Sequence, residues 1–323
     1  MLRRTAVALL AVAVAGPAFA QAYPTKPISL IVPFAAGGPT DVMARILGER
    51  MSRKLGQQII IDNVAGAAGT IAMGKLARSA PDGYTIGIGH LGTNVVNGAI
   101  YKKLNYDLQN DLVPIALLPS NPLLVVTSNQ VPAKDLKELV AYLKANADKV
   151  SGGTAGMGSG SHIGVLAFFA ATGTNYQLVP YRGTGPAVQD LIANQIQIII
   201  DQSSNSLPHV RAGKIKVYAV TAKQRNAAAP DVPTTAEAGF PGIEVAIWHG
   251  LWAPKSTPPE IINKLNAAAV SALKDPAIRR KLEDLGQDIP TPEQMAPAAF
   301  ATYQKAEFAK WKPIIEKAGV KVE

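Results

Sequence analysis

Three stretches of the chain carry almost no side chain at points where an apolar run gives way to a helical pattern. They are Phe34-Ala35-Ala36-Gly37-Gly38-Pro39-Thr40-Asp41, then Gly152-Gly153-Thr154-Ala155-Gly156-Met157-Gly158-Ser159-Gly160-Ser161-His162, and Tyr181-Arg182-Gly183-Thr184-Gly185-Pro186. Each opens its helix with a proline, serine or threonine where the first backbone amides have no intrahelical partner. Such amides, together with the positive end of the helix dipole, form an anion site, and small residues let the anion approach closely. The same residues also suit plain tight turns. The residues alone leave both readings open.

Asp201 follows Ile198-Ile199-Ile200, where a parallel strand would deliver it toward the same edge. It could accept hydrogen bonds from a ligand, or it could cap the next helix. His90, after the strand from Tyr84 to Gly89, and His162, in the second bare stretch, are similarly placed. A histidine at a helix start also serves as a polar or capping residue, and His249, between Trp248 and Trp252, reads as a packing residue. Gly87-Ile88-Gly89-His90-Leu91-Gly92 matches a dinucleotide fingerprint, but it follows the third strand rather than the first. The serine of Gly156-Met157-Gly158-Ser159-Gly160 lacks the spacing of a nucleophile elbow. With no cysteine, no paired histidines and no carboxylate cluster at ligand spacing, neither a metal nor another cofactor is expected.

Strands alternating with helices must position these stretches. Ile28 to Val32, Ile59 to Ile61 and Tyr84 to Gly89 read as strands, with helical spacing at Val42, Met43, Ile46, Leu47 and Met51 and again from Thr70 to Ser79. The middle of the chain repeats the theme. Helices run over 136–147, 162–171 and 186–194, and strands over 177–181, 196–200 and 215–221. This alternation predicts an α/β fold with parallel sheet. Two proline-interrupted extended runs, 114–127 and 243–254, are able to join two such units, which makes the first unit discontinuous: 21–120 plus 245–323, with 121–244 as the second. Two connections permit hinge closure over a cleft.

The 323 residues exceed what one core usually serves, in keeping with two domains of roughly 150 residues. Met1-Leu2-Arg3-Arg4, the apolar run from Ala6 to Ala15 and Ala18-Phe19-Ala20 read as a signal peptide, residues 1–20, cut after Ala20. Export to the periplasm follows. The net charge of +9, two of it in that signal, is scattered rather than clustered, which argues against nucleic acid and suits solubility or attraction of anionic solutes.

At these stretches the sequence resembles the Bug family of extracytoplasmic solute receptors, the binding components of tripartite tricarboxylate transporters. The likeness runs collinearly through "YPTKPISLIVPFAAGGPTDVMAR", "PDGYTIGIGHLGTNVVN", "VPYRGTGPAVQDLIANQIQIIID" and "HVRAGKIKVYAVT". The resemblance implies a type II periplasmic binding protein fold, two α/β domains joined by two crossing strands. It implies a non-enzymatic, monomeric receptor that pinches a small carboxylate (a dicarboxylate, acidic amino acid or aromatic acid) and passes it to the transporter's membrane permease. Ala35 to Asp41 would form one jaw and Ala155 to His162 the other, with Gly37, Gly38 and Thr40 facing Ala155, Gly156 and Ser159, and Asp201 on the distal wall. Phe34, Ala36, Asp41, His90, His162 and Tyr181 complete the expected ligand-binding set. His90-Leu91-Gly92-Thr93 departs from a more serine-rich family stretch, which bears on the distal end of the ligand. A receptor serving a signalling partner and an exported hydrolase are the competing readings.

Overall fold

The computed structural model describes residues 23–319 and 321; the signal-peptide reading falls outside them. Strand β1 (Ile28–Val32) pairs in parallel with β2 (Ile59–Asn63) and β3 (Thr85–His90). Helix α1 (Pro39–Leu55) follows β1 and buries Met43, Ile46, Leu47 and Met51, the apolar stripe seen in the sequence. It ends at Gly56, whose positive φ of 73° terminates the helix with a hydrogen bond back to Ser52. Helix α2 (Thr70–Ala77) precedes β3, and a π-helical turn (Gly92–Val96) and α3 (Asn97–Ile100) follow it.

Strand β4 (Leu112–Ser128) then runs for 17 residues. Its register shifts near Pro114 and near Pro119, as expected where proline cannot donate to a ladder. Beyond it lie α4 (Leu136–Ala145), β5 (Ser151–Thr154), α5 (Gly160–Thr172), β6 (Gln177–Pro180), α6 (Thr184–Ile192), β7 (Ile198–Gln202), α7 (Ser203–Arg211) and β8 (Ile215–Val220). Strand β9 (Ala246–Pro254) returns the chain, and α8 (Pro259–Lys274), α9 (Pro276–Asp284) and α10 (Pro297–Ala318) follow.

Among the described residues the strands form one continuous path, β2-β1-β3-β9-β4-β7-β5-β6, with β8 on the other side of β4. The path repeats one arrangement twice. In the first half β9 lies antiparallel between β3 and β4. In the second, the C-terminal part of β4 lies antiparallel between β7 and β8. Thus β4 serves both halves, pairing with β9 through Pro122 and with β7 from Leu123 onward. The second crossing lies beside it at Thr221: its amide donates to Leu123 O, its hydroxyl accepts from Leu123 N and donates to Val245 O, and Val245 N donates to its carbonyl.

The second bare stretch differs from expectation at its start. Gly152 and Gly153 lie in β5, not in a loop. A Cβ at Gly152 would come within 2.3 Å of the Tyr176 ring, and one at Gly153 within 2.7 Å of Ile196, so these glycines give packed side chains room. The glycines of the rejected dinucleotide pattern have similar reasons. Gly87 makes way for Leu76 and Gly89 for Asn94.

Candidate ligand-binding site

The first turns of α1, α5 and α6 meet the start of α7 around one cavity of ≈ 20 Å³. Its lining comprises Phe34, Pro39 and Thr40 from the first jaw, His90 from the end of β3, Ala155 and Ser159 to Ser161 from the second jaw, then Thr184 and Gln202. Pro39 and Thr40 open α1, Gly160 and Ser161 open α5, and Thr184 opens α6, while Gln202 is the cap of α7. Parallel strands deliver these helix starts to one edge of the sheet, and each leaves amides without intrahelical acceptors. The environment therefore offers neutral donors and helix-dipole potential with no cationic side chain on the wall.

The loops bearing these helix starts touch. Ala35 N–H donates to Arg182 O at 2.9 Å. A Cβ at Gly185 would lie 3.0 Å from Gly37 C and Gly38 N, and one at Gly183 would lie 3.2 Å from Ala35 N. On the other side, a Cβ at Gly92 would meet Gly158 O at 2.3 Å. A cavity this small holds about one water-sized group, so a larger ligand enters only when these contacts part.

The side chains lining the cavity are held from behind. Ser159 is fully buried and caps α5 by accepting from His162 N at 3.3 Å; its Oγ lies 3.1 Å from that of Ser161, which accepts from Ala155 N at 2.9 Å. Thr40 Oγ1 lies 3.1 Å from His249 Nε2, which ties the cavity wall to strand β9. His90 and His249 face one another across the β3–β9 ladder with ring centroids 5.6 Å apart, and Phe34 stacks on His90 at 5.1 Å. Burial lowers the pKa of His90 to about 4; burial and then the neighbouring His90 lower that of His249 to about 3. Both rings are uncharged at neutral pH.

Of the residues singled out in the sequence, Phe34, Thr40, His90, Ala155 and Ser159 border the cavity, whereas Ala36, Gly37, Gly38, Asp41, Gly156, His162, Tyr181 and Asp201 do not. Asp41 holds the loop instead. It accepts from Gly37 N at 2.9 Å, from Asn63 Nδ2 at 2.9 Å and from Arg45 at 2.9 and 3.0 Å. Burial pushes its pKa up, but these donors outweigh it and hold the carboxyl below its ordinary value. Asp201 is buried behind Gln202, accepting from Asn205 at 2.7 Å and Ser206 at 2.6 Å, and burial raises its pKa despite those donors. Tyr181 donates to Asp190 at 2.7 Å. His162 Nδ1 accepts from Gly158 N at 3.2 Å and so braces the second jaw.

Pro39, Gly160, Ser161, Thr184 and Gln202 were absent from the expected set. Pro39, Gly160, Ser161 and Thr184 lie within the three quoted stretches, so the helix-start signal contained them. Gln202 lies outside them, directly after Asp201, and is the N-cap of α7. A larger cavity, ≈ 440 Å³, lies between α10 and the segment 95–109, lined by Tyr101, Tyr106, Phe308 and Trp311 among others. None of the four helix starts reaches it.

Comparison with known proteins agrees with this architecture. Residues 43–320 match the tripartite tricarboxylate transporter family receptor, TctC. The periplasmic binding protein BugD superposes with a TM-score of 0.90 at 38% identity, covering 93% of this chain and all of BugD. MatC from Rhodopseudomonas palustris, solved with bound malate, gives 0.87 at 41% identity over 91% of this chain and all of MatC. A further R. palustris protein, solved with adipate, gives 0.87 at 32% identity over 92% of this chain and 98% of its own. With the fold shared and the family's sequence pattern matched over residues 43–320, the chain belongs to the Bug/TctC family of periplasmic solute-binding receptors, a family of receptors rather than enzymes.

Proposed function

We propose that this protein captures a small carboxylate between the loop after β1 and the loop after β5, closes over it, and delivers it in the periplasm to the permease of a tripartite tricarboxylate transporter. The observation that carries this reading is the convergence of the starts of α1, α5, α6 and α7 on one cavity, where small and hydroxylated side chains stand beside Phe34, His90 and Gln202. A carboxylate there accepts from amides and hydroxyls and needs no buried cation. Neutral donors also leave an anion easier to release than a buried ion pair would. The malate and adipate bound by relatives of similar sequence support the ligand class.

The proposed machine has two domains, 21–120 plus 245–323 and 121–244. β4 and the crossing at Thr221 and Val245 act as its hinge. The ligand engages one jaw first, and the amides of the other then favour the closed arrangement through their differential affinity. Gly37 and Gly38, and Gly156 opposite, act as the bare backbone that lets the jaws meet.

Thermal unfolding against a panel of carboxylates, with phosphate and neutral sugars as controls, tests the reading. A ligand at a hundred times its dissociation constant raises stability by about 2.7 kcal/mol, a shift of several degrees. Stabilisation by a carboxylate group alone is the expected result. A response confined to phosphate or sugar overturns it.

A further inference from the structure

His90 is held in a single tautomer by the backbone that follows it. Gly92 N–H donates to its Nδ1 at 2.9 Å and Thr93 N–H at 3.2 Å. A ring nitrogen that accepts two amide bonds carries no proton, so the neutral imidazole must carry its proton on Nε2. The clamp depends on close approach. A Cβ at residue 92 would sit 2.7 Å from His90 Cε1, which leaves glycine as the residue that fits. Thr93 Oγ1 accepts from His90 N at 2.8 Å and so closes the same turn. Phe34 stacks flat on the ring, 18° from parallel, and His249 meets it edge-on at 86°. The ring therefore has little freedom to rotate, and it borders the cavity.

We infer that His90 is a specificity-determining residue that presents a fixed, uncharged Nε2–H donor to the ligand. It thereby selects carboxylates that carry a second oxygen acceptor (a carboxylate, hydroxyl or oxo group) and disfavours those that place an ammonium there. This rests on the carboxylate-receptor reading above. It divides the possible ligands, favouring dicarboxylic, hydroxy and oxo acids over acids with no second acceptor or with an ammonium in its place.

The surroundings keep the donor neutral. Protonating Nδ1 would break both amide bonds, and burial independently holds the ring's pKa near 4. The titratable groups on the elements that form the cavity do not oppose this. His249 on β9 and His162 on α5 are themselves depressed by burial, Asp41 on α1 is bonded to Arg45, Asn63 and Gly37, and Asp201 on β7 is bonded to Asn205 and Ser206.

Two measurements test the inference, one of them without ligand. Imidazole nitrogen NMR of histidine-labelled protein, with His90 assigned by its loss in His90→Gln, should show a bare Nδ1 and a protonated Nε2 at pH 7. A proton on Nδ1, or on both nitrogens, overturns the donor. Calorimetry with succinate, 4-aminobutyrate and butyrate then reads selectivity. Wild type should prefer succinate to 4-aminobutyrate, and His90→Phe should weaken succinate about 10- to 100-fold while butyrate changes little. His90→Gln, which keeps a side-chain N–H and guards against misfolding of the aromatic variant, should recover part of the loss. Equal loss of succinate and butyrate, or unchanged succinate affinity in His90→Phe, overturns the inference while leaving the receptor reading intact. If wild type binds none of the three, the selectivity inference falls, the carboxylate reading is decided separately by the thermal-unfolding panel, and the nitrogen spectrum still decides the tautomer by itself.

Discussion

Ala35 and Arg182 are joined by a backbone hydrogen bond of 2.9 Å, which links the loop after β1 to the loop after β6 across the two halves of the sheet. The two loops come close because Gly183 lies against Ala35 and Gly185 against Gly37 and Gly38. Gly185 packs against Gly37 and Gly38 so closely that a further carbon would lie 3.0 Å from their backbone, tighter than ordinary van der Waals contact. In the proposed closure, backbone thickness at this point sets how near the two loops can come.

Replacing Gly185 with alanine tests that limit. Residue 185 lies in the first turn of α6, where alanine is the better helix former by roughly 0.8–1.0 kcal/mol. Its Cβ would nevertheless press on Gly37 and Gly38 at 3.0 Å. Gly185→Ala should leave thermal stability unchanged or raised, weaken ligand affinity about tenfold, and enlarge the radius of gyration in small-angle scattering with ligand. Unchanged affinity and size would show that the loops have slack that the structure does not display.

Asp41 separates positioning from ligand contact. Its carboxylate is occupied by Gly37, Asn63 and Arg45, although Arg45 is half exposed and contributes the least to stability. Asp41→Ala should cost about 2 kcal/mol in urea unfolding through the unpaired partners. Asp41→Asn, which still accepts from Gly37, should lose less. A variant that binds poorly yet unfolds at the wild-type urea concentration would instead place the carboxylate against the ligand.

Ser159 offers a stability readout for the second jaw. Its hydroxyl caps α5, so Ser159→Ala should destabilise by about 1 kcal/mol, a drop of a few degrees in Tm. Ser159→Trp should in addition fill the cavity and abolish binding. Full affinity in the tryptophan variant would remove the second jaw from the site.

Acid sensitivity follows from the buried histidines. His90, His162 and His249 have folded pKa values of about 4, 4 and 3, below the ordinary 6.5. The unfolded chain then binds more protons between pH 6.5 and 4, so their contribution is complete above 6.5 and is lost as pH falls toward 4. Each ring contributes at most about 1.4 kcal/mol for every pH unit that separates its folded pKa from the unfolded one. Asp201 and Asp288, both raised by burial, act in the opposite sense but as two groups against the three rings. Urea midpoints measured from pH 7 to 4.5 should fall, and fall less steeply in His249→Gln. A flat wild-type profile would contradict neutral burial of the rings.

Most of the framework was legible in the residues themselves. Apolar runs of five or six residues, as in Ile28 to Val32, and the spacing of Met43, Ile46, Leu47 and Met51 carry the two periodicities of buried strand and amphipathic helix. The bare stretches before Pro39, Gly160 and Thr184 signal helix starts because the chemistry of the first turn is local. What the sequence could not convey is contact between distant segments. Gly152 and Gly153 looked like loop until Tyr176 and Ile196 supplied the reason for their lost side chains. Nor does the polar sequence of Ser203 to Ser206 convey that these residues are buried in α7, where Asp201 and Gly286 take the hydroxyls of Ser206 and Ser203.

By itself, then, the sequence determined the alternation of strands and helices, the positions of the bare helix starts and the family to which the chain belongs, because each depends on residue type at short spacing. Only the tertiary structure decided that four helix starts share one cavity, that Asp41 and Asp201 are spent on backbone and side-chain partners behind its wall, and that His90 meets Gly92, Thr93, Phe34 and His249 in a geometry that fixes its proton. Those outcomes depend on which residues the sheet order brings together, and β4 and β9 set that order by pairing segments more than a hundred residues apart.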